Sequence, residues 1–188
     1  LAMAILATKL CGLKDKLIYS SIKKIKSING RLELVRSFSN NIKVFVDYAH
    51  TPDALRNALR MLKECTRGKL HLVFGCGGNR DKGKRLEMTK IACAGADKVW
   101  ATADNPRSES IQEIFNDMKK GISKSSKINF IEDRRRAISL ALDNAMDNDC
   151  VLIAGKGHES FQEVQYTAIP FDDRIVAGEL ITAKQLTY

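Results

Sequence analysis

Four short clusters in this sequence combine glycine, proline, imidazole and charge at spacings that suit ligand chemistry. The first is Asp47-Tyr48-Ala49-His50-Thr51-Pro52-Asp53, in which an acid and an imidazole follow an apolar run and a proline-acid pair opens a helix. Ligand contact through Asp47 and His50 is one reading. Thr51 and Asp53 as helix caps with His50 packed in a turn is the other, and the residues alone leave both open. The second cluster is the loop Gly75-Cys76-Gly77-Gly78-Asn79-Arg80-Asp81-Lys82-Gly83-Lys84-Arg85. Backbone amides and a helix N-terminus at such a loop can hold anionic groups. Gly78 to Lys84 imitates a phosphate-binding loop, but Arg85 stands where a magnesium-ligating hydroxyl is required, and Gly75-x-Gly77 lacks the third glycine of a dinucleotide fingerprint. A glycine turn with a solvated basic edge is the competing reading.

The third cluster, Asp104-Asn105-Pro106-Arg107, sets a planar guanidinium after a stiffened turn, a donor geometry matched to a carboxylate. The fourth, Gly155-Lys156-Gly157-His158-Glu159, offers a carboxylate to an ammonium group, or is a glycine turn with polar edges. Mixed charge, an arginine fork and a separate glutamate suit a zwitterionic amino acid. A nucleic-acid backbone would ask for a more uniformly basic face with stacking aromatics.

The elements that must position these clusters follow from apolar periodicity. Val44–Val46, Leu70–Phe74, Val99–Ala101, Asn129–Ile131 and Val151–Ala154 read as buried strands, and Arg31–Phe38 as a further strand after the Asn29-Gly30 turn signal. Asp53–Cys65, Arg85–Ala94, Ser108–Lys120, Asp133–Met146 and Asp173–Leu186 carry apolar residues at helical spacing, with Ser108 as the expected N-cap of its helix. Strand, loop and helix in alternation predict an α/β fold with a doubly wound, mainly parallel sheet, whose strand ends bring the clusters to one rim. The first 30 residues differ: two helical stretches, Ala2–Leu10 and Lys16–Lys26, have no strand to pack them, which places a domain boundary near residue 30.

At 188 residues and 44% hydrophobic content the chain is long enough for one sizeable core. No apolar run approaches the roughly 20 residues of a membrane span, so a cytoplasmic location without membrane association is the expectation. The five cysteines are scattered and form no C-x-x-C pair, which argues against a disulfide framework or zinc site. The net charge of +9 is spread along the chain; an anionic substrate accounts for its sign as well as nucleic acid does.

In order, Gly30-Arg31-Leu32-Glu33, the four clusters, and Phe171-Asp172-Asp173-Arg174 resemble the C-terminal domain of the Mur ligases, over essentially the whole chain. The resemblance is to the members that join meso-diaminopimelate to UDP-MurNAc-L-Ala-D-Glu, the UDP-N-acetylmuramoyl-L-alanyl-D-glutamate:2,6-diaminopimelate ligases of cell-wall synthesis. It implies a Rossmann-like domain over residues 31–188, preceded by the helical end of a central ATP-binding domain over 1–30. It also implies ATP and Mg2+ as cofactors, with the metal ligands outside this chain, and a monomeric protein. By the resemblance, Arg31, Asp47 and His50 belong to the ATP site, while Arg80, Asp104, Asn105, Pro106, Arg107, Gly155 and Glu159 hold diaminopimelate. Arg107 would take the distal carboxylate and Glu159 would lie near the distal ammonium. The D-N-P-R form goes with diaminopimelate, since relatives that add L-lysine typically lack the arginine. A lysine-adding relative and a non-catalytic basic module are the alternatives. The sequence contains no G-x-x-G-K-[ST] loop, so the chain alone is expected to be inactive.

Overall fold

The computed structural model describes residues 2–22, 24, 28–38, 41–120, 122 and 127–186. Strands β1 (Glu33–Phe38), β2 (Ile42–Asp47), β3 (Leu70–Cys76), β4 (Lys98–Ala103), β5 (Ile128–Phe130) and β6 (Cys150–Ala154) form one sheet in the order β1-β2-β6-β3-β4-β5. All its pairings are parallel except β1 with β2. Helices α3 (Pro52–Cys65), α4 (Gly83–Gly95) and α5 (Ile111–Lys119) follow β2, β3 and β4; α6 (Arg134–Asp143) precedes β6, and α7 (Asp173–Gln185) closes the described chain. Because β6 inserts between β2 and β3, the sequential order of the strands is broken there, which opens a crevice at the carboxyl ends of those parallel strands.

Alternation along the central strands divides their side chains between two cores. Leu70, Leu72 and Phe74 of β3 and Leu152 of β6 face Leu55, Leu59, Met88, Ile114 and Phe115 on α3, α4 and α5. Val73, Val151 and Ile153 face Ile138, Ala141, Val176 and Ile181 on α6 and α7. A sheet covered on both faces has no polar side, which is why β3 and β6 are buried along their whole length and His71 is the one polar or charged side chain among them.

The expected strands and helices are present, with ends displaced by a few residues. Residues 31–32 are a bend and not strand, Leu32 having φ 41°, so β1 starts at Glu33. The expected Asn129–Ile131 strand is Ile128–Phe130, and the helix expected over Asp133–Met146 stops at Asp143. Ser108 does not cap its helix. Ser110 does, in a reciprocal capping box with Glu113, while the Ser108 hydroxyl donates to Asn79 Oδ1. Thr51 caps α3 by accepting from Ala54 N, whereas Asp53 lies in the first turn and pairs with Arg56. Ahead of the sheet, α1 (Ala2–Leu10) and α2 (Asp15–Ile22) are mostly exposed, with Ile18 their one buried residue. Positions 23, 25 and 26 of the stretch expected to be helical over Lys16–Lys26 lie outside the described residues.

One element had no counterpart in the sequence reading: an antiparallel hairpin of β7 (Phe161–Val164) and β8 (Thr167–Pro170). Its turn residues Gln165 and Tyr166 have φ 45° and 62°. A two-residue hairpin turn favours Asn-Gly at such angles, so the usual composition signal is missing.

Candidate functional site

The four clusters do converge. Residues following β2, β3, β4 and β6 line a cavity of about 430 Å³ at the carboxyl rim of the sheet, and Arg80, Asp104, Asn105, Arg107, Gly155 and Glu159 are all in its wall, with His50 beside them. Arg31, Asp47 and Pro106 are not in the wall.

Close backbone approach fixes the rim, and glycine permits it. A Cβ at Gly75 would lie 2.4 Å from Thr102 O, and one at Gly78 would lie 1.8 Å from Pro106 O, so the glycine loop packs directly on the Asp104–Arg107 turn. The two are also hydrogen-bonded, Gly78 N donating to Asn105 O at 2.9 Å. Arg85 anchors the glycine loop from below. Buried to 1% exposure, it meets Glu109 at 2.8 Å and Asp117 at 2.9 Å and donates to Gly77 O. Where a phosphate-binding loop would carry a hydroxyl, this loop therefore carries a structural cation. The Arg85 guanidinium, with the Asn79 amide and Lys82 assisting, holds the Glu109 carboxyl down at about 2.

The acidic side of the cavity is a connected network. Lys156, fully buried, donates from Nζ to Asn105 Oδ1 and to Glu159 Oε2, both at 3.0 Å. Asn105 returns Nδ2 to the same Glu159 oxygen at 3.0 Å. Glu159 thus has one oxygen anchored by two donors. Asp104 differs: its Oδ1 accepts from the Asn105 amide at 2.8 Å, while Oδ2 is buried without a hydrogen-bond partner among the described residues. That oxygen would lie 2.6 Å from a Cβ at Gly155, whose φ of 117° and missing side chain keep the space open. Burial pushes the Asp104 carboxyl above its ordinary range, opposed by Arg134 and Lys156. A buried, unpaired carboxyl oxygen is satisfied when a donor arrives.

On the basic side, Arg107 sits at φ 55°. Its Nη1 donates to Gly78 O at 2.8 Å and its Nε lies 3.0 Å from Glu163 Oε2 on β7. The guanidinium is therefore already paired within the protein, and a ligand without a second carboxylate would not leave a bare charge here. Arg80 stands exposed at the cavity mouth.

The residues assigned to ATP lie around Tyr48. Arg31 stacks its guanidinium 4.6 Å from the ring centroid, and the rings of His50 and His158 stand 4.4 and 5.2 Å away. Asp47 ties this corner together, with Oδ2 accepting from Leu32 N at 2.7 Å and Oδ1 from Ala49 N at 2.9 Å. His158, Lys156, Glu163 and Arg85 are residues that sequence reasoning left without a role. Of these, Glu163 alone stood outside the quoted clusters, so it carried no local signal.

Residues 30–157 match the family described as Mur ligase, glutamate ligase domain. Among curated proteins, the chain is 45% identical over 170 residues to the UDP-N-acetylmuramoyl-L-alanyl-D-glutamate--2,6-diaminopimelate ligase of Bacillus velezensis, covering 90% of this chain and 34% of the relative. It is 42% identical over 164 residues to the ligase of the same name from Haemophilus influenzae, covering 87% and 33%. A solved structure of a ligase of that name superposes with a TM-score of 0.79 at 41% identity, over 97% of this chain and 37% of that one. UDP-N-acetylmuramate-alanine ligase from Thermotoga maritima shares the fold, with a TM-score of 0.65 at 20% identity over 98% of this chain and 36% of that one. The chain thus spans about a third of the length of the relatives it matches.

Proposed function

Because this chain belongs to the Mur ligase family, we propose that it is the amino-acid-binding part of an ATP-dependent peptide ligase, joining meso-diaminopimelate to UDP-MurNAc-L-Ala-D-Glu in peptidoglycan synthesis. One observation carries the substrate assignment: a single cavity has an anionic side, Asp104 and Glu159, and a cationic side, Arg80 and Arg107. Diaminopimelate bears an ammonium and a carboxylate at each end and can satisfy both sides at once. The buried Asp104 Oδ2 would accept a hydrogen bond from an ammonium group, and Glu159, bonded to Lys156 Nζ, supplies a second acceptor. Lysine has the ammonium but not the distal carboxylate, so the difference between the two is what diaminopimelate gains at Arg107.

ATP, when bound, supplies the phosphoryl group that activates the acceptor's carboxylate. The residues of this chain that suit a nucleotide are the Arg31, Tyr48, His50 and His158 cluster, a stacking and cationic platform beside the amino-acid cavity. Asp47 supports it by fixing the backbone at Leu32 and Ala49, with further acceptor capacity for a ribose hydroxyl. Among the described residues no group of three His, Cys, Asp or Glu side chains could hold a metal ion, and we assign the Mg2+ ligands to the preceding domain. We assign α1 and α2 to that domain as well, with the boundary near residue 30. No helix among the described residues is long and apolar enough to cross a membrane; we read the protein as a cytoplasmic monomer that does not bind nucleic acid.

Calorimetric titration of this chain with meso-diaminopimelate and, separately, with L-lysine tests the assignment. Saturable binding of diaminopimelate, at least about tenfold tighter than lysine, is expected from one added charge-assisted contact. Equal affinities would remove the substrate assignment, and lysine binding alone would move it to a lysine-adding ligase.

A further inference from the structure

The β7–β8 hairpin lies beyond the residues matched to the family, 30–157, yet it grips Asp104, Asn105 and Arg107 of the Asp104–Arg107 turn. Gln162 Nε2 donates to Asp104 O at 2.7 Å, and Glu163 N donates to Asn105 Oδ1 at 3.0 Å. Arg107 N donates to Glu163 O at 3.0 Å, and Gln165 N donates to Arg107 O at 2.7 Å, so the hairpin backbone brackets Arg107 on both sides. The Glu163 carboxylate then meets Arg107 Nε at 3.0 Å.

Both partners of this grip hold unfavourable backbone angles: Arg107 has φ 55°, and the hairpin turns on Gln165 and Tyr166 at φ 45° and 62°. Residues other than glycine or asparagine persist there only where surrounding bonds over-determine them. The outcome is a guanidinium held from two directions, Nη1 by Gly78 O and Nε by Glu163. Nη2 makes no hydrogen bond to another described residue.

We propose that Glu163 is a positioning residue that sets specificity at this site, orienting Arg107 so that its free Nη2 edge meets the second carboxylate of a diamino-diacid. The inference rests on the diaminopimelate reading for its ligand, but the fixing of the guanidinium does not. With Glu163 in place, Arg107 approaches the ligand already oriented, and less side-chain freedom is lost on binding. Without it, the guanidinium keeps only its Nη1 contacts and pivots about them. The opposite role is physically distinct: if Glu163 competed with the ligand for Arg107, its removal would tighten binding of any carboxylate.

The experiment uses this chain as wild type and as Glu163→Gln, which keeps the hairpin's backbone bonds while removing the charge; an unshifted Gln165 amide resonance verifies that the hairpin stays in place. Proton exchange at Arg107 Nε is measured by NMR, together with affinities for meso-diaminopimelate and L-lysine. Exchange should quicken roughly tenfold in Glu163→Gln, and diaminopimelate should bind roughly tenfold more weakly, while lysine changes by less than about twofold. Unchanged Nε exchange, tighter diaminopimelate binding, or an equal loss for both amino acids would each overturn the proposal. If the wild type binds neither amino acid while Nε protection still depends on Glu163, the substrate reading fails and the positioning of Arg107 stands.

Discussion

Arg134 and Asp173 show how much of the rim depends on residues that do not line the cavity. Both are fully buried; Arg134 donates Nε and Nη2 to the two Asp173 oxygens at 2.8 and 2.7 Å, and it reaches Ala103 O and Ala154 O, the last residues of β4 and β6. Removing one member strands a buried charge, so Arg134→Met should destabilise the chain by about 3–5 kcal/mol in urea unfolding. Combining it with Asp173→Leu should cost less than the sum of the two single changes, because the second removes the stranded charge; strict additivity would show that the pair is not coupled. Glu109 gives a residue-level pH dependence. Its folded carboxyl sits at about 2 against an ordinary 4.5, so its pairing with Arg85 stabilises the fold above about 4.5 and is lost as pH falls toward 2. Asp117, lowered chiefly by Lys120 and then by Arg85, titrates in the same direction. The stability of Glu109→Gln should therefore fall less steeply between pH 5 and pH 2 than that of the wild type, measured by urea unfolding at each pH; parallel curves would show that the pairing contributes nothing.

Between elements, contact at the rim is backbone on backbone, and the glycine loop distinguishes two kinds of closeness. At Gly78 a Cβ would meet the Pro106 carbonyl at 1.8 Å, which cannot yield without moving the Asp104–Arg107 turn. At Gly77 it would meet Arg107 Nη1 at 3.1 Å, the end of a side chain that can shift. Gly78→Ala should thus lower stability by about 1–3 kcal/mol or more, whereas Gly77→Ala should lower it by less than about 1 kcal/mol. Equal values in urea unfolding would mean that the loop and the turn are not in register as described. The hairpin belongs to the same scale. Its turn of Gln165 and Tyr166 carries no glycine or asparagine, and its strands, exposed in β8 and only partly buried in β7, carry no core alternation, so nothing in the local sequence announced it. It is recognisable only from what it holds, the Asp104–Arg107 turn.

For the whole molecule, the sheet order brings the four clusters together. β6 comes late in the chain but lies between β2 and β3, so Gly155 and Glu159 arrive beside residues from around positions 48 and 76. The assembled cavity can hold an amino acid, while the sequence contains no phosphate-binding loop. This chain alone is therefore expected to release no phosphate from ATP in the presence of UDP-MurNAc-L-Ala-D-Glu and meso-diaminopimelate, since phosphoryl transfer needs that loop and its metal. Phosphate release dependent on both substrates, from this chain in purified form, would contradict the assignment of the two halves of the reaction to separate domains.

What the sequence determined by itself was what local periodicity and local chain geometry govern: five strands, the helices between them, the parallel sheet they imply, and the strand-end position of the four clusters. Of those strands β5, expected to be buried, lies at the sheet edge and is only partly covered. Hydrophobic spacing and glycine punctuation act within a few residues, so they can be read without knowing the partners. Helix ends were less legible, as Ser110 in place of Ser108 shows, because two serines two residues apart offer the same cap and packing chooses between them. Tertiary structure alone decided which charges are ligand groups and which are supports. Arg85, Lys156 and Arg134 look from the sequence like any surface cation, yet burial against Glu109, Glu159 and Asp173 makes them internal anchors. Arg107, read as a fork for a ligand's carboxylate, is paired by a glutamate 56 positions later along the chain. Such pairings join residues far apart in sequence, and their energies depend on solvent exclusion that exists only after the sheet has closed its rim.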